Sequence, residues 1–143
     1  MQINKKVFLG GTCNESQWRE GLIPMLLIEY FNPVVPDWTP ECMEEEIKQR
    51  EVCDYCLYTI TPRMMGVYSI AEVVDDSNKR PQNTVLCVLK KDGELTFSKW
   101  QMKSLGQVAR MVKSNGGQCF DNLNDVAGYL NAKKEENHEQ CSK

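Results

Sequence analysis

The six residues Thr84-Val85-Leu86-Cys87-Val88-Leu89 make the most apolar run in the chain. A strand with no polar alternation is covered on both faces, and strands of that kind belong to parallel sheets flanked by helices. The run is expected to be the central strand. Outward from it, Lys5-Lys6-Val7-Phe8-Leu9 ends in Gly10-Gly11 and reads as a buried strand stopping at a permissive loop. Ile28 to Phe31 is closed by Asn32-Pro33, Tyr55 to Ile60 by Thr61-Pro62, and Gln118 to Phe120 is a short fifth strand.

Helical periods lie between these strands. Ser16 is placed to cap a helix that carries Trp18, Leu22 and Leu26 on one face and ends near Pro24. Pro40 to Arg50 opens with proline and with Glu41, Glu44 and Glu45, which suits the positive end of the helix dipole. Tyr68 to Asp75 repeats apolar residues at helical spacing (Ile70, Val73, Val74). After a polar hairpin-like segment, Lys90 to Glu94, a helix from Ser98 to Lys113 has the inner face Met102, Leu105, Val108, Ala109 and Val112. Leu123, Val126, Ala127 and Leu130 mark a last helix.

This alternation predicts an α/β domain: a doubly wound, five-stranded parallel sheet of flavodoxin-like order 2-1-3-4-5 with helices on both faces. Residues 1–132 form that single domain and 133–143 a polar C-terminal tail. A chain of 143 residues suits one core of ordinary size. With 17 basic and 20 acidic residues and no basic cluster, the chain is not expected to bind nucleic acid. The longest strongly apolar stretch, Gly21 to Ile28, contains Pro24 and is too short for a bilayer, so a soluble cytoplasmic protein is expected. The seven cysteines read as free thiols. Cys53 and Cys56 lack a second pair for a metal site, and the one histidine, His138, lies in the tail. Neither metal nor cofactor is expected, and any chemistry must rest on carboxylates.

In such a sheet, ligands bind beyond the carboxyl ends of the strands, near the switch in strand order. The loops that matter therefore run from Gly10 to Asn14, from Asn32 to Trp38 and from Thr61 to Glu72. Gly10-Gly11 lets a ligand approach the backbone, and it equally suits a plain strand-to-helix turn. Trp38 beside Asp37 offers a stacking plate and a proton for a flat heterocycle, or simply a cap on the core. Glu72 stands among Ile70, Ala71, Val73 and Val74, where a carboxylate is costly unless paired or useful. It is read as a nucleophile that attacks an anomeric carbon, with Asp37 handling the proton across the bond; the alternative is a helix face turned to solvent. Asp54 is read as a structural cap at the opposite end of the sheet.

Val7-Phe8-Leu9-Gly10-Gly11-Thr12, Asn14 to Trp18-Arg19, Asn32-Pro33 to Asp37-Trp38, and Met65-Gly66 to Glu72 resemble the nucleoside 2-deoxyribosyltransferase-like superfamily, in its compact bacterial and phage branch, over about residues 5 to 90. The resemblance implies a homo-oligomer, dimer or higher, that cleaves the N-glycosidic bond of a (deoxy)nucleoside and passes the sugar to another base. It makes Glu72 the nucleophile and gives Gly10, Gly11 and Thr12 the sugar; Asn32, Trp38, Met65, Gly66, Tyr68 and Ser69, on the other strand-end loops, complete the substrate contacts expected here. The family's aspartate shortly before the nucleophile is missing, and Asp37 or Ser69 is a substitute. Two other activities fit the same cleft. One is a nucleotide N-hydrolase gripping phosphate through Arg19, Arg63 or Thr12. The other is a non-catalytic nucleotide-binding or sensor module.

Overall fold

The computed structural model describes residues 4–13 and 15–142, without the side chains of 135–142. Five parallel strands, β1 (Lys6–Gly11), β2 (Glu29–Phe31), β3 (Tyr55–Ile60), β4 (Thr84–Val88) and β7 (Gln118–Phe120), form one sheet in the order β2-β1-β3-β4-β7. This is the doubly wound, flavodoxin-like arrangement. A separate antiparallel hairpin pairs β5 (Lys91–Asp92) with β6 (Leu95–Thr96). The middle position belongs to β3, whose six residues are all buried, and not to the apolar run of β4. Hydropathy alone misplaces the centre because Tyr55, Tyr58 and Thr59 are amphipathic yet buried there.

Alternating residues of the strands feed two cores. On one face Val7, Leu9, Leu57 and Val85 pack with Trp18 and Leu22 of α1 (Trp18–Leu22) and with Val126 and Leu130 of α5 (Leu123–Ser142). On the other, Phe8, Tyr58, Ile60 and Leu86 pack with Val73 of α3 (Tyr68–Lys79) and with Leu105 and Val112 of α4 (Lys99–Ser114). Ser98 closes a full capping box with Gln101 at the start of α4. Ser16 does not cap α1; its hydroxyl donates to Asp92 instead, and Gln17 takes the cap position without a side-chain bond. Asp54 accepts the Lys6 amide at 2.8 Å and so fastens the amino end of β1 to that of β3. The last helix continues past Ala132 to Ser142.

The helix α2 (Pro40–Val52) is built differently. Among the described residues, neither apolar cluster includes any of it. Its more buried positions are polar (Cys42, Glu46, Gln49 and Arg50), while Met43, Ile47 and Val52 stand exposed. What fastens it is a buried ionic network. The Asp76 carboxylate, with its side chain 1% exposed, accepts from Tyr58 Oη at 2.5 Å, Arg50 Nη2 at 2.9 Å and Arg80 Nη2 at 2.6 Å. Arg50 Nε also donates to Tyr58 Oη at 2.9 Å, and Arg80 Nη1 donates to the Arg50 carbonyl.

Burial would push the Asp76 carboxyl up, but the hydrogen bonds from Tyr58, Arg50 and Arg80 outweigh it and hold the group below its ordinary 3.8. A depressed native value contributes stability above the unfolded value, and that contribution is lost as pH falls through the native one. Asp76→Asn is therefore expected to cost about 3 kcal/mol at neutral pH in urea unfolding, because it removes the charge partner of Arg80 and leaves Arg50 only the longer pairs with Glu72 and Asp75. The variant should also lose less stability than the parent below about pH 4.

Candidate active site

The chain passes from β1 to β2 on one side of the sheet and then crosses to β3 on the other, so the loops after β1 and β3 part at their carboxyl ends. A crevice of about 270 Å³ opens there, lined by Gly11, Thr12, Cys13, Ile60, Met64, Met65, Gly66, Tyr68 and Ser69. Six residues predicted to contact substrate (Gly11, Thr12, Met65, Gly66, Tyr68 and Ser69) thus share one concave surface. Asn14 lies outside the described residues.

The first loop is held by hydrogen bonds that leave Thr12 buried. Its hydroxyl accepts the Thr61 amide at 3.0 Å, and its amide donates to the Thr59 carbonyl. Gly11 has φ +113°, and a Cβ there would lie 2.1 Å from the Thr59 oxygen, so only glycine fits. A Cβ on Gly10 would sit 2.9 Å from the Phe8 and Tyr58 rings. Trp18 Nε1 donates to the Thr12 carbonyl at 2.7 Å. Arg19, 4% exposed, donates to the same carbonyl at 2.8 Å and twice to that of Leu9. Burial pushes the Arg19 guanidinium down to about 10. Arg19 is a clamp on the end of β1, its donors engaged by the carbonyls of Leu9 and Thr12.

The loop after β3 is tied to the first by a carboxylate in the hairpin. Asp92 Oδ2 accepts from Ser16 Oγ at 2.5 Å, and Oδ1 pairs with Arg63 Nε at 3.4 Å. Burial opposes the charge, but bonds from Ser16 and Thr61 and the charge of Arg63 hold the Asp92 carboxyl below its usual range. Gly93, at φ +63°, keeps the turn open where a Cβ would strike Arg63 at 2.7 Å. Arg63 is thereby engaged at the hairpin.

Glu72 lies on α3 one turn beyond Ser69, on the same helix face but not in the crevice lining. Its side chain is 18% exposed, and Oε2 lies 3.4 Å from Arg50 Nη1. Burial raises its carboxyl, Arg50 opposes that rise, and the charges of Asp76 and Glu46 add to it. Glu46, one turn before Arg50 on α2, is half-buried and makes no hydrogen bond or ion pair among the described residues. Its carboxyl is raised by burial and lowered by Arg19. The Glu46 carboxyl on α2 is thus near enough for its charge to act on Glu72 on α3. Sequence reading missed Glu46, Arg50 and Asp76; their signal was the Cys42, Glu46, Arg50 spacing of four and the Ser69, Glu72, Asp76 stripe.

The remaining predicted residues stand on the loop after β2. Asn32 is exposed, and its Oδ1 accepts the Val34 amide at 3.1 Å in a local turn. Asp37 is exposed, and Trp38 is 57% exposed, so it neither caps the core nor faces the crevice lining. A larger groove of about 380 Å³ runs between α4 and β7, floored by Leu86, Met102 and Leu105, and holds none of the predicted residues. Cys53 and Cys56 are buried free thiols, pushed up by burial to about 11 and about 12. No helix among the described residues is long and apolar enough to cross a membrane.

No curated protein and no solved structure matches the chain. A family model described as nucleoside 2-deoxyribosyltransferase like matches residues 4–91, which carry β1 to β4, the crevice, Glu46 and Glu72. That stretch is more than half of the 143 residues, and the chain belongs to the nucleoside 2-deoxyribosyltransferase-like family.

Proposed function

We propose that this protein cleaves the N-glycosidic bond of a (deoxy)nucleoside through a glutamyl-sugar intermediate and transfers the sugar to another base. The observation that carries the reading is Glu72, half-buried and paired with Arg50, one turn along α3 from Ser69 in the lining of the crevice at the switch in strand order. Ionised Glu72 attacks C1′; the C–N bond breaks, its electron pair stays with the base, and the base takes a proton. The nitrogen of a second base then attacks C1′ and releases the carboxylate, its N–H proton passing to the group that protonated the first base.

Glu46 is the better proton donor than exposed Asp37. Burial favours its neutral form against the charge of Arg19, and no hydrogen bond among the described residues holds it charged, whereas Glu72 has Arg50 in contact at 3.4 Å. Two carboxyls that repel one another do not readily ionise together, so one is left charged to attack while the other holds a proton. Thr12, Tyr68, Ser69 and the Gly11 and Gly66 backbones shape the sugar side of the crevice. Transfer is favoured over nucleotide hydrolysis because Arg19 and Arg63, the cations suited to a phosphate, are engaged within the fold. The outward apolar residues of α2 (Met43 and Ile47), with Val34, Val35 and Trp38 before it, suit a homo-oligomer.

Incubation with deoxyadenosine and free cytosine should yield deoxycytidine and adenine, read by chromatography. Glu72→Ala should lower that rate about a thousandfold or more while the circular dichroism stays unchanged; adenine released without deoxycytidine would identify water as the acceptor. The rate should be bell-shaped in pH. Its acid limb lies above the ordinary glutamate value of 4.5, because activity needs charged Glu72 and is lost as pH falls through the raised value. Glu46→Gln should lower the rate about a hundredfold and abolish the alkaline limb. Ile47→Glu should shift the sedimentation coefficient toward that of a monomer.

A further inference from the structure

Glu72 is surrounded by groups that oppose its charge. Burial acts first, and the charges of Asp76 on α3 and Glu46 on α2 add to it. Against them stands Arg50, at 3.4 Å the one cation in contact among the described residues. Arg80 is drawn to Asp76, and Tyr58 spends its proton on Asp76.

Arg50 is itself unusually fixed. Its Nη2 pairs with Asp76 Oδ1 at 2.9 Å, its Nε donates to Tyr58 Oη at 2.9 Å, and its backbone carbonyl is held by Arg80. With Nε and Nη2 committed to the floor of the network, the planar fork points Nη1 at Glu72. The same residue tethers α2, which has no apolar anchor of its own among the described residues of the two cores.

We propose that Arg50 is a positioning residue for Glu72: anchored by Asp76 and Tyr58, it holds the Glu72 carboxylate in place and ionised. The inference rests on the reading of Glu72 as nucleophile only for its catalytic consequence. Arg50 touches neither sugar nor base; it acts through the glutamate.

The test follows the Glu72 side-chain carboxyl by carbon-13 NMR in the full chain, with the signal assigned by its loss in Glu72→Gln. In Arg50→Gln the Glu72 midpoint should rise by about one pH unit or more. The acid limb of the transfer rate should move with it, kcat falling and KM staying nearly constant. Arg50→Lys, which keeps a charge, should bring the midpoint back toward that of the parent. A Glu72 midpoint unmoved in Arg50→Gln overturns the proposal. If that variant does not fold, nitrogen-15 spectra of the arginine side chains in the parent decide. The Arg50 signal should inflect at the Glu72 midpoint and lose that inflection in Glu72→Gln; its persistence overturns the proposal. A midpoint that moves in a protein that transfers no sugar would sink the nucleoside reading and leave the arginine assignment standing. Normal transfer with an unmoved midpoint would do the reverse.

Discussion

The Asp76 carboxylate, buried beneath Tyr58, Arg50 and Arg80, is the interaction on which the rest of this structure depends. An isolated charge there would be expelled or neutralised; three donors make it tolerable, and in return it fixes two arginines and a phenol. Through Arg50 it attaches a helix that hydrophobic packing does not hold. Through the same arginine it reaches the one glutamate on α3 that stands a turn from the crevice. A buried ion pair of this kind gives little net stability over an apolar replacement. What it gives is geometry, because the guanidinium has a fixed fork and each of its bonds constrains the others.

The architecture was legible in the residues because strands such as Tyr55 to Ile60 are short, apolar and closed by proline or glycine. The crevice was legible for the same reason: once the strand order is known, the loops that carry Thr12 and Ser69 must meet. The centre of the sheet was not, since tyrosine and threonine read as half-exposed when nothing shows that a helix covers them. Nor was the network. Glu46, Arg50 and Asp76 look like ordinary members of charged helices, and their meaning arises only when α2 and α3 lie side by side. The loop after β2 stands apart from the crevice lining, with Asp37 and Trp38 both exposed. Asp37 and Trp38 are the right types for base recognition, but type says nothing about which way a proline-bounded loop turns them.

Arg19 makes a related point. A conspicuous cation beside a glycine loop invites a phosphate, yet here its donors meet the carbonyls of Leu9 and Thr12, and its face lies 4.4 Å from the Trp18 ring. The pair finishes the end of β1, where parallel strands leave carbonyls without partners. The loop is rigid on that account, and a rigid loop is the kind of wall against which a sugar can be aligned.

The hairpin residue Asp92 falls one position past the stretch that matches the family. With Ser16 on one oxygen and Arg63 on the other, it cinches together two loops that the family stretch supplies. The tie between the loops after β1 and β3 is therefore made by a side chain outside the matched stretch, so a change in the hairpin reaches the crevice walls without touching any residue that lines them.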